Sequence, residues 1–274
     1  MENQHYSVLM SVYQKEKPEY LRASMESIQR QTVLTDDFVL VCDGPLTDEL
    51  NTVVAQMQGE MGQVLNVVRL NENLGLGCAL NEGVKVCRCA LIARMDSDDI
   101  SRPERCEKQL AIFHEHTEIS IVGSVIEEFS VTKEQVESKR IVPEFHADIM
   151  KTAKKRNPFN HPSVMYKKQA VLDSGNYPPV RYIQDYYLWV AMLSKGYQGY
   201  NIQEPLVWMR GGPELYKRRF HWSYVKHQLD IFKVMRSQGF ISFPRYIMSS
   251  LIRIIFYVMP SGIRNVLVKK VLRD

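Results

Sequence analysis

Four apolar runs, Ser7–Tyr13, Phe38–Cys42, Val64–Leu70 and Ala90–Met95, alternate with segments of helical periodicity in the first part of this chain. The segment Pro18–Gln31 carries Leu21, Met25 and Ile28 on one face, and Thr47–Met61 and Gly77–Val86 also read as helices. Runs this short are buried strands, and strands alternating with helices form right-handed crossover units. The expectation is an α/β fold: a Rossmann-like, mostly parallel sheet flanked by helices on both faces. In such sheets ligands bind beyond the carboxyl ends of the strands. That rule selects three places: Tyr13 onward, Asp43-Gly44, and Asp96–Asp99.

The third place is the strongest local signal. Asp96-Ser97-Asp98-Asp99 puts three carboxylates in four residues directly after a buried strand. Like charges this close raise one another's pKa unless a cation is present, and carboxylate oxygens suit Mg²⁺ or Mn²⁺. The alternative is a solvated acidic turn or a cap for the helix that follows Pro103. Asp43 can accept a hydrogen bond from a base N–H or a ribose hydroxyl, or simply make a turn. Gly75 and Gly77, in NENLGLGCALN, permit close backbone approach before a helix but lack the spacing of a phosphate-binding fingerprint. Asp185 opens the helix Ile183–Leu193, as a general base or as a first-turn dipole partner. His161 lies in the loop-like Asn157–Ser163, as a ligand contact or a structural side chain.

Further along, Pro103–His114 reads as a helix, Ser120–Ile141 contains another apolar run, and Lys151–Arg156 is a basic patch. Gly211-Gly212-Pro213 breaks the chain, giving a body at 1–210 and an appendage at 211–274. The appendage carries 12 Lys/Arg against 3 Asp/Glu, whereas the body carries 23 against 28. Within it, Arg245–Met259 is apolar but interrupted by Arg253, too short for a span and suited to a helix lying in an anionic membrane interface. The alternative is a helical subdomain packed on the body. The five cysteines, at 42, 78, 87, 89 and 106, lack paired spacing, so a zinc site or disulfide framework is not expected and reduced cytosolic thiols are. The stretch MENQHYSVLMSVYQ has no basic start followed by a long apolar run, so a secretory signal is not expected.

Read together and in order, these segments resemble glycosyltransferase family 2, of the GT-A fold. The resemblance runs over about residues 7–210: SVLMSVYQKE, Ser27–Thr32, Cys42-Asp43-Gly44, NENLGLGCALNEG, Arg94–Asp99, Arg102–Arg105, Asn157-Pro158-Phe159, His161-Pro162-Ser163, Gly175-Asn176-Tyr177, Gln184-Asp185-Tyr186 and Glu204-Pro205-Leu206. The His-Pro-Ser block and the Tyr-Leu-Trp helix are similar to bacterial enzymes that build O-antigen, capsule and exopolysaccharide repeat units, including the amylovoran type.

The resemblance implies roles. Ser11, Tyr13 and Asp43 would hold the uracil and ribose of a UDP-sugar, and Arg94 would lie near the nucleotide. Asp98 would bind Mn²⁺ or Mg²⁺ directly, and Asp96 would reach the ribose or the metal's waters. Asp99 would bind the donor sugar or support the metal. Asp185 would be the general base of an inverting transfer. The acceptor implied is a polyprenyl-diphosphate-linked saccharide, met by a cytoplasmic protein at the inner face of the membrane. UDP-glucose or UDP-galactose is the expected donor, and the oligomeric state is left open.

Three departures matter. Gln184 stands where the family usually has Glu, Cys42 precedes Asp43 where it often has Asp, and the Gln-x-x-Arg-Trp motif of processive synthases is missing, which implies a single transfer. Rival readings fit less well. A sugar-phosphate nucleotidyltransferase needs a glycine in SVYQKEKPEY, and a nucleic-acid binder leaves the acidic cluster unexplained. A catalytically silent scaffold has no use for Asp96, Asp98 and Asp185.

Overall fold

The structure, a computed structural model, describes residues 5–211 and 222–259. The chain runs β1 (Tyr6–Val12), α1 (Pro18–Gln29), β2 (Asp37–Cys42), α2 (Asp48–Met61), β3 (Leu65–Arg69), α3 (Leu76–Val86) and β4 (Leu91–Asp96). Then follow β5 (Ile100–Ser101), α4 (Arg105–Glu115), β6 (Ile119–Phe129), β7 (Val136–Arg140), α5 (His146–Ala153), β8 (Met165–Lys167), α6 (Lys168–Asp173), α7 (Gln184–Ser194) and β9 (Gln198–Arg210). Two further helices are α8 (Trp222–Ser237) and α9 (Phe243–Val258).

The strands form one sheet in the order β3-β2-β1-β4-β8-β6-β9-β5, with β7 paired to β6. The first four are parallel, as the alternating pattern requires. The other half is mixed, because β8 runs antiparallel to both β4 and β6. Polarity therefore reverses beside β4, whose end carries the acidic cluster.

Period-two alternation decides which side each residue faces. Val8, Met10, Phe38 and Leu40 join Leu21, Met25, Leu50 and Val54 of α1 and α2 in one core. Leu9, Val39 and Val41 join α3 and the Leu188–Leu193 face of α7 in the other. Gly83 lets α3 come down onto the sheet; a Cβ there would lie 2.3 Å from Leu9 Cδ1.

Ile231, Phe232 and Met235 of α8, with Phe240 and Ile241, complete the α7 side of the core. The Gly212-Pro213 break and the basic residues beyond 259 lie outside the described residues. Among the described residues no helix is long and apolar enough to cross a membrane.

Candidate active site

β1, β2 and β4 end side by side. Ser11 is half-buried opposite Asp96 in the β1–β4 ladder, and the Asp43 N–H donates to the Val12 carbonyl at 2.8 Å. Tyr13, one residue on, is 41% exposed. The edge chosen by the strand-end rule thus carries Ser11, Tyr13, Asp43 and Asp96 together.

Asp43 also builds this edge. Its two carboxylate oxygens accept the backbone N–H groups of Leu74 at 2.8 Å and Gly75 at 3.0 Å. Its carbonyl accepts the Asn73 side-chain amide at 3.1 Å. Burial pushes its pKa up, and the two N–H groups oppose that shift. The neighbouring Gly44 has φ +84°, and a Cβ there would meet Asn73 N at 2.6 Å, so glycine is required at this crossing. The Asn-rich loop and the second strand end are therefore one unit.

At the end of β4, ligand-capable oxygens of Asp96, Asp98 and Asp99 all lie within 4.8 Å of one another. Burial, then the charges of Asp96 and Glu16, push Asp98 up to about 7. Asp99 is buried, and burial followed by the charges of Asp98 and Asp96 holds its pKa well above the ordinary carboxylate range. Its Oδ1 accepts the Arg210 backbone N–H at 2.7 Å, while Oδ2 has no protein partner. An orphaned carboxylate oxygen beside two more carboxylates is a set of hard ligands with excess negative charge, which suits a divalent cation.

Arg94 supports the acidic cluster from below. Its side chain is 1% exposed, because β4 points it inward. It grips Asp96 with both arms, Nη1 reaching Oδ2 at 2.7 Å and Nη2 reaching Oδ1. It is itself backed by Arg105, whose Nη2 donates to the Arg94 carbonyl at 2.7 Å.

Asp185 stands in the first turn of α7. Ile183, the residue before the helix, has φ +54°, a strained conformation for a β-branched side chain. It turns the chain so that Gln184 is buried and Asp185 is partly buried. Asn157 Nδ2 donates to Asp185 Oδ2 at 2.5 Å. Burial raises the Asp185 pKa; the Tyr186 N–H, the charge of Arg94, the Asn157 amide and the charge of Arg140 oppose it. Arg94 thus acts electrostatically on both Asp96 and Asp185, the two ends of the site.

His161 is drawn into an aromatic core. Nε2 lies 3.0 Å from Tyr177 Oη, and its ring packs near those of Tyr177 and Trp189. Burial, with Arg94 nearby, pushes its pKa well below the usual value, which keeps it neutral. That is the structural alternative of the sequence reading.

Three further residues at the site carried no role in the sequence reading. Glu16 Oε2 accepts the Ser97 hydroxyl at 2.6 Å and adds a carboxylate above Asp98. Arg210 Nε donates to the Asp98 carbonyl at 3.1 Å, with its guanidinium 3.7 Å from the Tyr20 ring centroid. Asn157 is the third. The charged ones sat in plain sight, but only the fold brings them here.

The model of glycosyl transferase family 2 matches residues 7–174. The chain belongs to this family. It is 36% identical over 268 residues to the amylovoran biosynthesis glycosyltransferase AmsE of Erwinia amylovora, covering 97% of this chain and 98% of that one. It is 35% identical over 270 residues to the UDP-Gal:alpha-D-GlcNAc-diphosphoundecaprenol beta-1,3-galactosyltransferase of Escherichia coli, covering 98% and 96%. Among solved structures, S. aureus TarS in complex with UDP-GlcNAc matches with a TM-score of 0.69 at 15% identity, covering 97% of this chain and 76% of that one. That likeness concerns the fold, which is GT-A as the resemblance implied. The protein is a glycosyltransferase, and a relative that matches nearly its whole length is named for amylovoran biosynthesis.

Proposed function

We propose that this glycosyltransferase is an inverting, metal-dependent hexosyltransferase that moves one hexose from a UDP-sugar to a lipid-diphosphate-linked saccharide in the synthesis of a bacterial surface polysaccharide. The observation that carries the reading is the pair of acidic centres sharing Arg94: the Asp96-Asp98-Asp99 cluster at the end of β4, and Asp185 at the start of α7. A transfer by single displacement needs these two parts, a counter-charge for the leaving diphosphate and a base for the incoming hydroxyl.

Asp185 takes the proton of the acceptor hydroxyl as that oxygen bonds to the anomeric carbon. The bond from the anomeric carbon to the diphosphate oxygen breaks, and UDP leaves with the electron pair. One displacement inverts the configuration, and no protein nucleophile takes part. Asp98 and Asp96, supported by Asp99, would hold Mn²⁺ or Mg²⁺. A divalent ion there supplies positive charge to the departing diphosphate. Arg94 fixes the orientation of Asp96 and tempers the basicity of Asp185 through its charge.

Ser11, Tyr13 and Asp43 form the nucleoside end, and Asp99 the donor-sugar end. The Escherichia coli relative is named for UDP-Gal and for an undecaprenyl-diphosphate acceptor, so UDP-galactose and a GlcNAc-diphosphate lipid are the first pair to test. Work at a membrane face suits the outer side of α9, where Leu251, Ile252, Ile255 and Val258 are exposed.

The test starts without the acceptor. Thermal unfolding is followed with UDP, GDP, dTDP and CDP, each with and without Mn²⁺, since a ligand of the folded state raises the midpoint. A shift with UDP that needs Mn²⁺ and vanishes in Asp98→Ala supports the donor site. A response to GDP or dTDP alone replaces the donor, and no response to any nucleotide overturns the reading. The anomeric configuration of the product, read by NMR, then decides between inversion and retention.

A further inference from the structure

Arg253 lies in the middle of α9, among Leu251, Ile252, Ile254 and Ile255. Those neighbours are exposed, but Arg253 is turned inward and half-buried. Its Nη2 donates to the Lys155 carbonyl at 3.1 Å. Burial lowers its pKa, and the groups that act back on it are the hydroxyls of Tyr186 and Tyr224. No carboxylate among the described residues forms an ion pair with it, nor with Lys154, Lys155 or Arg156, although Lys151 in the same helix end is paired with Asp148. A guanidinium taken out of water without a counter-charge is costly. The dipole of α5 favours lysines at its end. It gives no reason for an arginine to reach across from an apolar helix.

The location supplies one. The stretch 153–157 is tied down residue by residue. Tyr186 Oη donates to the Ala153 carbonyl at 2.6 Å, Arg253 to the Lys155 carbonyl, and Asn157 to Asp185. An extended backbone advances at most about 3.6 Å per residue, so Lys155 and Asn157 have Cα atoms within roughly 7 Å of each other. Two cations without an ion pair, Lys155 and Arg156, therefore stand within two residues of the side chain that holds Asp185. In a saccharide linked through its anomeric carbon to a lipid diphosphate, the reactive hydroxyl and the first phosphate can belong to the same sugar ring. A hydroxyl at Asp185 then brings the diphosphate to this neighbourhood.

We propose that Arg253, with Lys155 and Arg156, binds the diphosphate of the lipid-linked acceptor beside Asp185. The inference rests on the acceptor class of the proposed function and names the residues that recognise it. The chemistry recognised is a lipid-borne phosphate anion, and two sources offer it: the acceptor's diphosphate and the headgroups of an anionic bilayer.

The experiment uses the full chain with farnesyl diphosphate as probe, farnesol as its uncharged control, and vesicles of phosphatidylcholine with and without phosphatidylglycerol. Wild type, Arg253→Gln and Arg156→Gln are compared by calorimetric titration; Arg156 is exposed, so its variant serves if Arg253→Gln fails to fold. The expected result is binding of farnesyl diphosphate but not farnesol, weakened at least about tenfold in each variant, as loss of charge-assisted hydrogen bonds implies. The unfolding shift with UDP and Mn²⁺ stays at the wild-type value. Unchanged affinity in the variants overturns the site, as does equal binding of farnesol. Loss of binding to phosphatidylglycerol vesicles with farnesyl diphosphate affinity intact assigns the cluster to headgroups and also overturns it. Absence of the UDP shift with diphosphate binding retained sinks the donor reading and leaves the anion site standing.

Discussion

The side-chain amide of Asn157 has one orientation, because its Oδ1 accepts the Phe159 backbone N–H at 3.1 Å while its Nδ2 donates to Asp185 Oδ2 at 2.5 Å. The carboxylate proposed as the base is thus aimed by a side chain that does not titrate. Asp185→Asn should lower kcat by about 10²–10⁴-fold, the usual worth of a general base. Asn157→Ala should cost less, roughly tenfold or more, and should leave a signature that mere loosening does not. The amide favours the charged carboxylate, so removing it raises the Asp185 pKa further. The acid limb of the kcat profile then moves to higher pH. Binding of UDP with Mn²⁺ should be normal in both variants. An acid limb that stays in place in Asn157→Ala would show that the amide does not tune the base.

Asp98 predicts a coupling between metal, proton and stability. Its carboxyl titrates at about 7 in the folded chain, well above an ordinary carboxylate near 3.9. Between these values the folded state binds more protons than the unfolded one, so this group makes stability fall as pH rises toward 7. A bound cation competes with that proton. The rise in unfolding midpoint caused by Mn²⁺ should therefore be larger at pH 8 than at pH 6. Asp98→Asn should remove both the metal effect and this part of the pH dependence. A Mn²⁺ shift of equal size at both pH values in the wild type would count against a ligand that must lose a proton.

Asp43 should link stability to the proposed donor binding, since its carboxylate closes the loop at Leu74 and Gly75. Asp43→Ala leaves two backbone donors without their acceptor and should cost about 1–3 kcal/mol in urea unfolding. The same variant should bind UDP less well. Wild-type stability in Asp43→Ala would mean that water replaces the carboxylate at both N–H groups.

How much of this was legible in the sequence follows from the range over which each signal acts. β1, β2 and β4 were readable because both of their faces are covered, which leaves short apolar runs. The acidic cluster was readable because its members are neighbours in the chain. β9 was not read as a strand: Pro205 interrupts it, and its pairing with β6 shifts register around Ser124 and Val125. β8 is three residues long, too short for any period. α5 was masked by the lysines at its end, which look like a solvated patch. The inward turn of Arg94 and its place on the same face as Asp96 follow from the alternation of β4, but its reach to Asp185 depends on the packing of α7. Asn157 was noticed as part of a motif, yet its role exists only once α7 is brought against the loop.

The outer side of α9 gives the last prediction. Ile252 and Ile255 are each 56% exposed, on a helix whose companion α8 is built into the core. Full burial of an isoleucine is worth about 1.5–3 kcal/mol, and an interfacial helix recovers part of that from the acyl region. Replacing both, as Ile252→Glu with Ile255→Glu, removes that gain and adds charge facing an anionic surface. Co-sedimentation with phosphatidylglycerol vesicles should fall at least about tenfold, while turnover of a short-chain, water-soluble acceptor should keep its wild-type kcat. The second readout matters because both residues point away from Arg253 and the body, so the chemistry does not depend on them. Vesicle binding that survives the double substitution would assign the apolar face to a protein partner instead of the bilayer. A fall in kcat on the soluble acceptor would mean that the outer face supports the site through packing, and the membrane argument from this helix would fail.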